Sequence, residues 1–345
     1  MPDAGSRVRR LGRAALGLTL AVAAVTSAGG ATREPSPRFD PGRAQEVPTA
    51  VSRVSPAVVG IRARIPSHRP SAATLGTERW GSGVLIEPDG TILTVGYLVM
   101  EASALDVVFH GGRTAAARVV GHDFESGFAV LRAIGGGPYP VAMLGRSGSV
   151  SAGQPVSVVG VSQDRGLLAR SARVTMVRRF VAYWEYLVER ALITSPSHPA
   201  FGGAAVVNPD GDLVGIMSLR LEGENLAIPI DLFPPVREAL LAQGRPARPP
   251  RPWLGVRAVA MDGGVVIAGV SPVGPAHAAG LKDGDVIVRL NGDRVADLED
   301  FYQKLWRTRV GSAVELGLYR DGQLQTVTLR PRDRYEVFQF RSPAP

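Results

Sequence analysis

An acyl-transfer centre needs a hydroxyl or thiol to attack, an imidazole to take its proton and a carboxylate to orient that imidazole. The chain offers five histidines, His68, His110, His122, His198 and His277, and no cysteine, so a nucleophile would have to be a hydroxyl. The stretch Ser197 to Ile216, SHPAFGGAAVVNPDGDLVGI, has the frame of a nucleophile loop: a small-residue turn, an apolar strand, a Pro-Asp-Gly turn and a second apolar strand. Yet between His198 and Met217 it contains no serine, threonine or cysteine. Ser197 and His198 are neighbours, and adjacent side chains on an extended segment point to opposite faces, which argues against a dyad. His122 and Asp123 read as a turn pair ahead of FESGFAVL rather than a catalytic couple. No cluster has metal-ligand spacing and no phosphate-cradling glycine loop precedes a helix, so neither a metal nor a cofactor is expected.

The elements around these residues are mostly short strands. SPAVVGIRARI reads as a strand, GSGVLIEPDGTILTV as a hairpin across Pro-Asp-Gly, and LDVVFHGGRTAAARVVGHD as a hairpin across Gly-Gly. GFAVLRA, PVAMLG, QPVSVVGVS, LARSARVTMVRR, ALITS, GAAVVNPDGDLVGIMSLRL and NLAIPI continue the series, which argues for an all-β barrel or sandwich. The aromatic run RRFVAYWEYLVERALI, Arg178 to Ile193, reads as a strand pair or local core. The first convincing helix is IDLFPPVREALLAQG, Ile230 to Gly244. RPARPPRP, residues 245–252, then forms a semi-rigid connector, since its prolines favour extended backbone. A small mixed unit follows over 253–332, with Leu298, Phe301, Leu305 and Tyr302 forming one apolar stripe on its longer helix. Residues 333–345 are left as a tail.

Length and composition frame this organisation. A chain of 345 residues exceeds one compact core, so two domains are expected over 49–244 and 253–332. Apolar residues at 45% and charged residues at 20% exclude global disorder. Of the net charge of +8, Arg7, Arg9, Arg10 and Arg13 against Asp3 carry three. The other basic residues are scattered arginines, apart from Lys282 and Lys304, and form no face for nucleic acid. The basic RVRRLGR, followed by the apolar stretch Ala14 to Ala28, reads as a signal peptide over 1–28, with 29–48 as a linker. Export to the periplasm or beyond is expected; a membrane enters only if that segment stays uncleaved as an anchor.

Two resemblances become specific on these residues. WLGV, SPVGPAHAAGLKDGDVIVRLNG and LWRTRVGSAVEL resemble a bacterial PDZ domain over Trp253 to Arg332. The resemblance implies that Trp253, Leu254, Gly255 and Val256 form a loop whose backbone N–H groups take a peptide's terminal carboxylate. The strand after it would pair with the peptide, and helix residues such as Phe301 and Leu305 would shape a side-chain pocket. The alternative is a module packed against its own barrel with no external ligand. GSGVLIEPDGTILT, VVGHDFESGFAVLR and GGAAVVNPDGDLVGI with NLAIPI resemble the HtrA/Deg family of trypsin-like serine proteases, chymotrypsin-like double β-barrels that are often trimeric. Ser82, in GSG, falls on a structural position of that framework, and the aromatic run falls where the family places loops that meet activating partners or neighbouring subunits.

That resemblance also marks what is missing. The family's histidine position, in a TNNHVV context, reads TVGYLV here and holds Tyr97. The aspartate position of DLAVL reads GFAVL and holds Gly127. The serine position, six residues before Asn208, holds Gly202, and the flanking turn carries Ala200 and Phe201 in place of glycine and asparagine. No histidine lies between residues 69 and 109, so no slip of register restores the set. Loss of all three members removes the proton relay, and Ala200 resists backbone angles open to glycine in an oxyanion hole. The expectation is therefore a pseudoprotease that binds C-terminal or unfolded peptides through its PDZ groove. Two alternatives stand beside it: a regulatory subunit assembled with an active HtrA paralogue or with itself, and an endopeptidase with a non-standard site.

Overall fold

The computed structural model describes residues 49–338; the segment read as a signal peptide, the linker 29–48 and the end of the tail lie outside the described residues. The first six strands, β1 (Val58–Arg64), β2 (Glu78–Glu87), β3 (Thr91–Val95), β4 (Ala104–Val108), β5 (Thr114–His122) and β6 (Phe128–Ala133), close into a barrel in the order β1-β2-β3-β6-β5-β4. The next six, β7 (Pro155–Ser162), β8 (Gly166–Ala182), β9 (Tyr186–Ser195), β10 (Ala205–Val207), β11 (Leu213–Arg220) and β12 (Asn225–Pro229), close a second in the order β10-β11-β12-β9-β8-β7. The two Pro-Asp-Gly turns set the registers of β2 with β3 and of β10 with β11. Gly90 and Gly211 take φ of +87° there, and the side chains of Asp89 and Asn208 accept from the amides of Thr91 and Asp212. Leu85, Ile92 and Leu93 are fully buried in the first barrel, each worth roughly 1.5–3 kcal/mol of burial.

The barrels meet along β2 and β7. Ser82 is the joint: its Oγ accepts from Val161 N, its N–H donates to Gly202 O, and its carbonyl accepts from Thr94 Oγ1. The serine is thus a structural tie. PVAMLG, expected as a strand, contributes only a bridge from Leu144 to Leu213. Pro140 has no amide to donate, and Ala142 N and Gly145 N go singly to Leu85 O and Leu213 O instead of to a ladder. The expected helix at 230–244 begins with a 3₁₀ turn, Ile230–Leu232, and becomes α-helical over Pro234–Gln243, ended by Gly244 in a left-handed conformation. A short helix, Gly96–Val99, follows β3 and carries Tyr97.

The C-terminal unit is a sheet in the order β13 (Val256–Met261), β14 (Gly264–Val270), β15 (Val286–Leu290), β17 (Val314–Arg320), β18 (Gln323–Leu329), with β16 (Asp293–Arg294) beside β15. Its helix Leu298–Trp306 is capped by Asp297, whose side chain accepts from Asp300 N, and buries Phe301, Tyr302 and Leu305. The whole is mainly β, as expected. The arginines of 245–252 are not idle charge. Arg248 donates twice to buried Asp123 at 2.9 Å, Arg248 and Arg251 both reach Glu125, and Arg251 lies 4.0 Å over the Trp306 ring. The segment read as a tail closes the same seam: Asp333 pairs with Arg245, and Tyr335 packs edge-on against Phe124.

Candidate functional site

The three positions that the resemblance assigns to imidazole, carboxylate and hydroxyl do converge in space, without those groups. Arg79 donates to the carbonyls of Tyr97 and Met100 at 2.8 and 3.0 Å, which fixes the end of the Gly96–Val99 helix. Gly96 N donates to Gly127 O at 2.8 Å, bringing the β5–β6 turn alongside. A Cβ built on Gly202 would stand 3.0 Å from the Tyr97 hydroxyl, and no residue beyond its chain neighbours other than Tyr97 comes within 4 Å. That hydroxyl donates to Ser218 O at 2.7 Å, so its proton is committed to a backbone carbonyl. Burial also pushes the Tyr97 phenol above its usual range, which favours its neutral, protonated form.

The aspartate's place is closed as well. Gly127 has φ of +86°, where L side chains are strained, and a Cβ there would lie 3.0 Å from the Tyr186 hydroxyl. Tyr186 is buried and donates to Ser126 O at 2.7 Å. The turn before β10 is kept for packing. Gly203, at φ +81°, could hold no side chain, because its Cβ would fall 1.9 Å from Ser82 O. Among the described residues the non-glycine positions with positive φ are Glu101, Glu185, Asn291 and Asp321, so Ala200 avoids the glycine-only backbone. Phe201 packs against the core of the second barrel.

No histidine stands at the three positions; His122 and His198 lie in the flanking segments. His122 is buried, edge-on to Phe124 and packed on Gly96; burial lowers its pKa to about 3, against an opposing pull from Asp123. Asp123 itself is held by Arg248 through both carboxylate oxygens. His198 is buried, its N–H donates to Asn225 Oδ1 at 2.5 Å, and burial lowers its pKa against the backbone at Ala200 and Leu168. Among the described residues no group of three or more His, Asp or Glu is placed to hold a metal ion.

The loop at 253–256 is built differently. The Trp253 N–H is committed to Arg332 O, and its ring packs on Phe338. The next three amides converge on one carboxylate: Leu254 N donates to Glu185 Oε2 at 3.1 Å, and Gly255 N and Val256 N donate to Oε1 at 2.8 and 3.1 Å. Gly255, at φ +82°, gives the turn that points them together. Glu185 sits at the tip of the β8–β9 hairpin. Burial pushes its carboxyl up, while the Arg334 guanidinium and the three amides pull it down. Tyr183 O, two residues earlier, accepts from Ala258 N at 2.7 Å. Phe301 and Leu305, expected at the pocket, are fully buried in the core of the C-terminal unit. The helix residue that reaches this hairpin tip is Tyr302, whose hydroxyl donates to Ala182 O and accepts from Glu185 N, both at 2.9 Å. The sequence placed Tyr302 on the apolar stripe but gave no sign of Glu185 as its partner.

Comparison with known proteins matches this architecture. Residues 81–216 fit the family described as trypsin-like peptidase domain, and residues 252–330 fit the PDZ domain. The serine endoprotease DegS of Haemophilus influenzae is 30% identical over 294 residues, covering 80% of this chain and 84% of that protein. The serine protease Do-like HtrA of Bacillus subtilis is 27% identical, covering 81% of this chain and 71% of its own length. A relative from Pseudomonas savastanoi described as a "probable periplasmic serine endoprotease DegP-like" is 29% identical over 78% of this chain, which spans 60% of that protein's length. Among solved structures, the HtrA-type protease AlgW with decapeptide superposes with a TM-score of 0.52 at 26% identity, over 86% of this chain and 98% of that one. A serine endoprotease from Yersinia pestis does so with a TM-score of 0.52 at 29% identity, over 84% and 99%.

Proposed function

This chain belongs to the HtrA family of trypsin-like serine endoproteases with a PDZ domain, and from that premise we propose that it holds peptides without hydrolysing them. The observation that carries the reading is the surroundings of Gly202: where an attacking oxygen would sit, the neighbour is a phenol whose proton already goes to Ser218 O. With Tyr97, Gly127 and Gly202 in the three positions, nothing withdraws a proton from a nucleophile and nothing steadies an imidazolium. The PDZ loop keeps the complementary equipment, three backbone donors aimed at one carboxylate. Its ligands on this reading are extended C-terminal or unfolded segments of exported proteins. The periplasmic description of the relative and the basic, then apolar, N-terminal sequence support export. Family resemblance leaves room for a homo-oligomer or for assembly with an active paralogue.

Two assays test the reading. Purified chain incubated with denatured casein, beside a mock purification, is expected to release no fragments; cleavage that tracks the protein and vanishes on mutating a hydroxyl residue overturns it. Peptides with a free terminus should bind at least about tenfold better than their C-terminal amides, because a charged acceptor strengthens each amide contact. Equal affinity for the two forms would remove the loop from the account.

A further inference from the structure

The turn joining β8 to β9 supplies the PDZ groove with a ligand from within the chain. Glu185 places a carboxylate on the amides of Leu254, Gly255 and Val256, and Tyr183 O takes the amide of Ala258. Stepping back two residues on the hairpin thus matches stepping forward two on β13. This is the antiparallel sense in which an extended peptide adds to a sheet edge, with its acidic end on the loop. Val181, two residues further back, packs against the PDZ core, and Tyr302 fastens the tip through Ala182 O and Glu185 N. The tip is therefore bound by ligand-like contacts and not merely placed nearby.

We propose that Tyr183 to Glu185 is a built-in occupant of the PDZ carboxylate groove, so that an extended peptide ending in a free carboxylate binds by displacing it. The inference rests on the reading of this groove as a peptide site. Three features suit a displaceable occupant. Glu185 holds φ of +58°, a conformation costly for glutamate, which a released tip gives up. Its side chain leaves a like-for-like vacancy, since an incoming carboxylate meets the same three donors. The domains also stay tethered when the tip leaves, because Arg248 and Arg251 hold the connector to Asp123 and Glu125 through separate contacts. A groove closed nine-tenths of the time binds its ligand about tenfold more weakly than an open one.

The test uses the full chain, its Glu185→Ala variant and its Glu185→Gln variant, which keeps the side-chain size should the alanine variant lose its fold. The probe is a fluorescein-labelled decapeptide pool, degenerate at its last four positions, prepared as free acids and as amides. Anisotropy titration is paired with amide hydrogen exchange at Leu254, Gly255 and Val256. The expected result is at least about tenfold tighter binding of the acid pool by both variants. Without peptide, the three amides should be protected in the parent chain and exchange faster in the variants. Equal binding by parent and variants overturns the built-in occupant and leaves the peptide site standing. Absence of binding by all three overturns the peptide site, and the inference falls with it.

Discussion

The turn before β10 and the PDZ loop at 253–256 are each built around a glycine at positive φ, Gly203 and Gly255, and they put it to different uses. On one side lies the cleft between the barrels, where the positions that the family resemblance assigns to the reacting groups hold Tyr97, Gly127 and Gly202. On the other lies the PDZ loop, where every donor of a carboxylate site is in place and in use. In the cleft, packing fixes Gly203, against Ser82 O, and Ser82, which ties the barrels through Val161 and Gly202. In the loop, by contrast, Gly255 is kept at φ +82° for the sake of the donors it aims. The turn before β10 is thus shaped by packing, whereas at 253–256 the backbone is itself the donor set for a carboxylate.

The contrast can be broken most sharply at neighbouring glycines. Gly203→Ala should destabilise the fold by about 4 kcal/mol or more, or prevent folding, since the new Cβ would lie 1.9 Å from Ser82 O. Gly202→Ser should shift stability by less than about 1 kcal/mol and yield no peptidase activity, because only Tyr97 lies near it. Urea titration of both variants reads this, and similar losses at the two sites would mean that the turn is not kept for packing.

The pH dependence of stability gives a smaller effect. His122 has its pKa lowered to about 3 by burial, below the unfolded value, so between about pH 3 and 6.5 the unfolded state binds the extra proton. Stability therefore falls as the pH is lowered through that window, by up to about 1.4 kcal/mol per pH unit from this residue. His122→Gln should flatten the slope by about one proton in chemical denaturation from pH 7 to 4; an unchanged slope would place the histidine in a wetter setting. Smaller again is Tyr97→Phe. Losing the bond to Ser218 O should cost about 1 kcal/mol and leave peptide binding unchanged, as measured by thermal denaturation and anisotropy. A large fall in peptide affinity would tie the cleft to the groove.

Much of this was legible in the linear chain. The Pro-Asp-Gly turns gave the β2–β3 and β10–β11 hairpins, because turn chemistry is local and glycine at positive φ leaves a plain mark. The absence of serine, histidine and aspartate at 202, 97 and 127 was equally plain. The contact of Glu185 with Leu254, Gly255 and Val256 was not, since 69 to 71 residues separate the partners and no periodicity links a hairpin tip to a distant loop. The aromatic run reads as a strand pair or local core and forms the ends of β8 and β9, but nothing in it marks the turn between them as a partner of residues 254–256. The segment after 332 read as a tail for the same reason: Asp333 and Tyr335 matter only once Arg245 and Phe124 are beside them. Tyr302 lay on an apolar stripe, and its hydroxyl gave no hint that Ala182 O would be within reach.

The most direct test of the central claim is oxygen-isotope exchange. The purified chain is incubated with a peptide mixture in water enriched in oxygen-18, and mass spectrometry reads label entering peptide carboxyl groups, which any reversible acyl transfer to a protein oxygen would cause. The account predicts incorporation equal to that of buffer alone over a day. Label that rises with protein concentration and disappears in a single hydroxyl-to-hydrogen variant would contradict it.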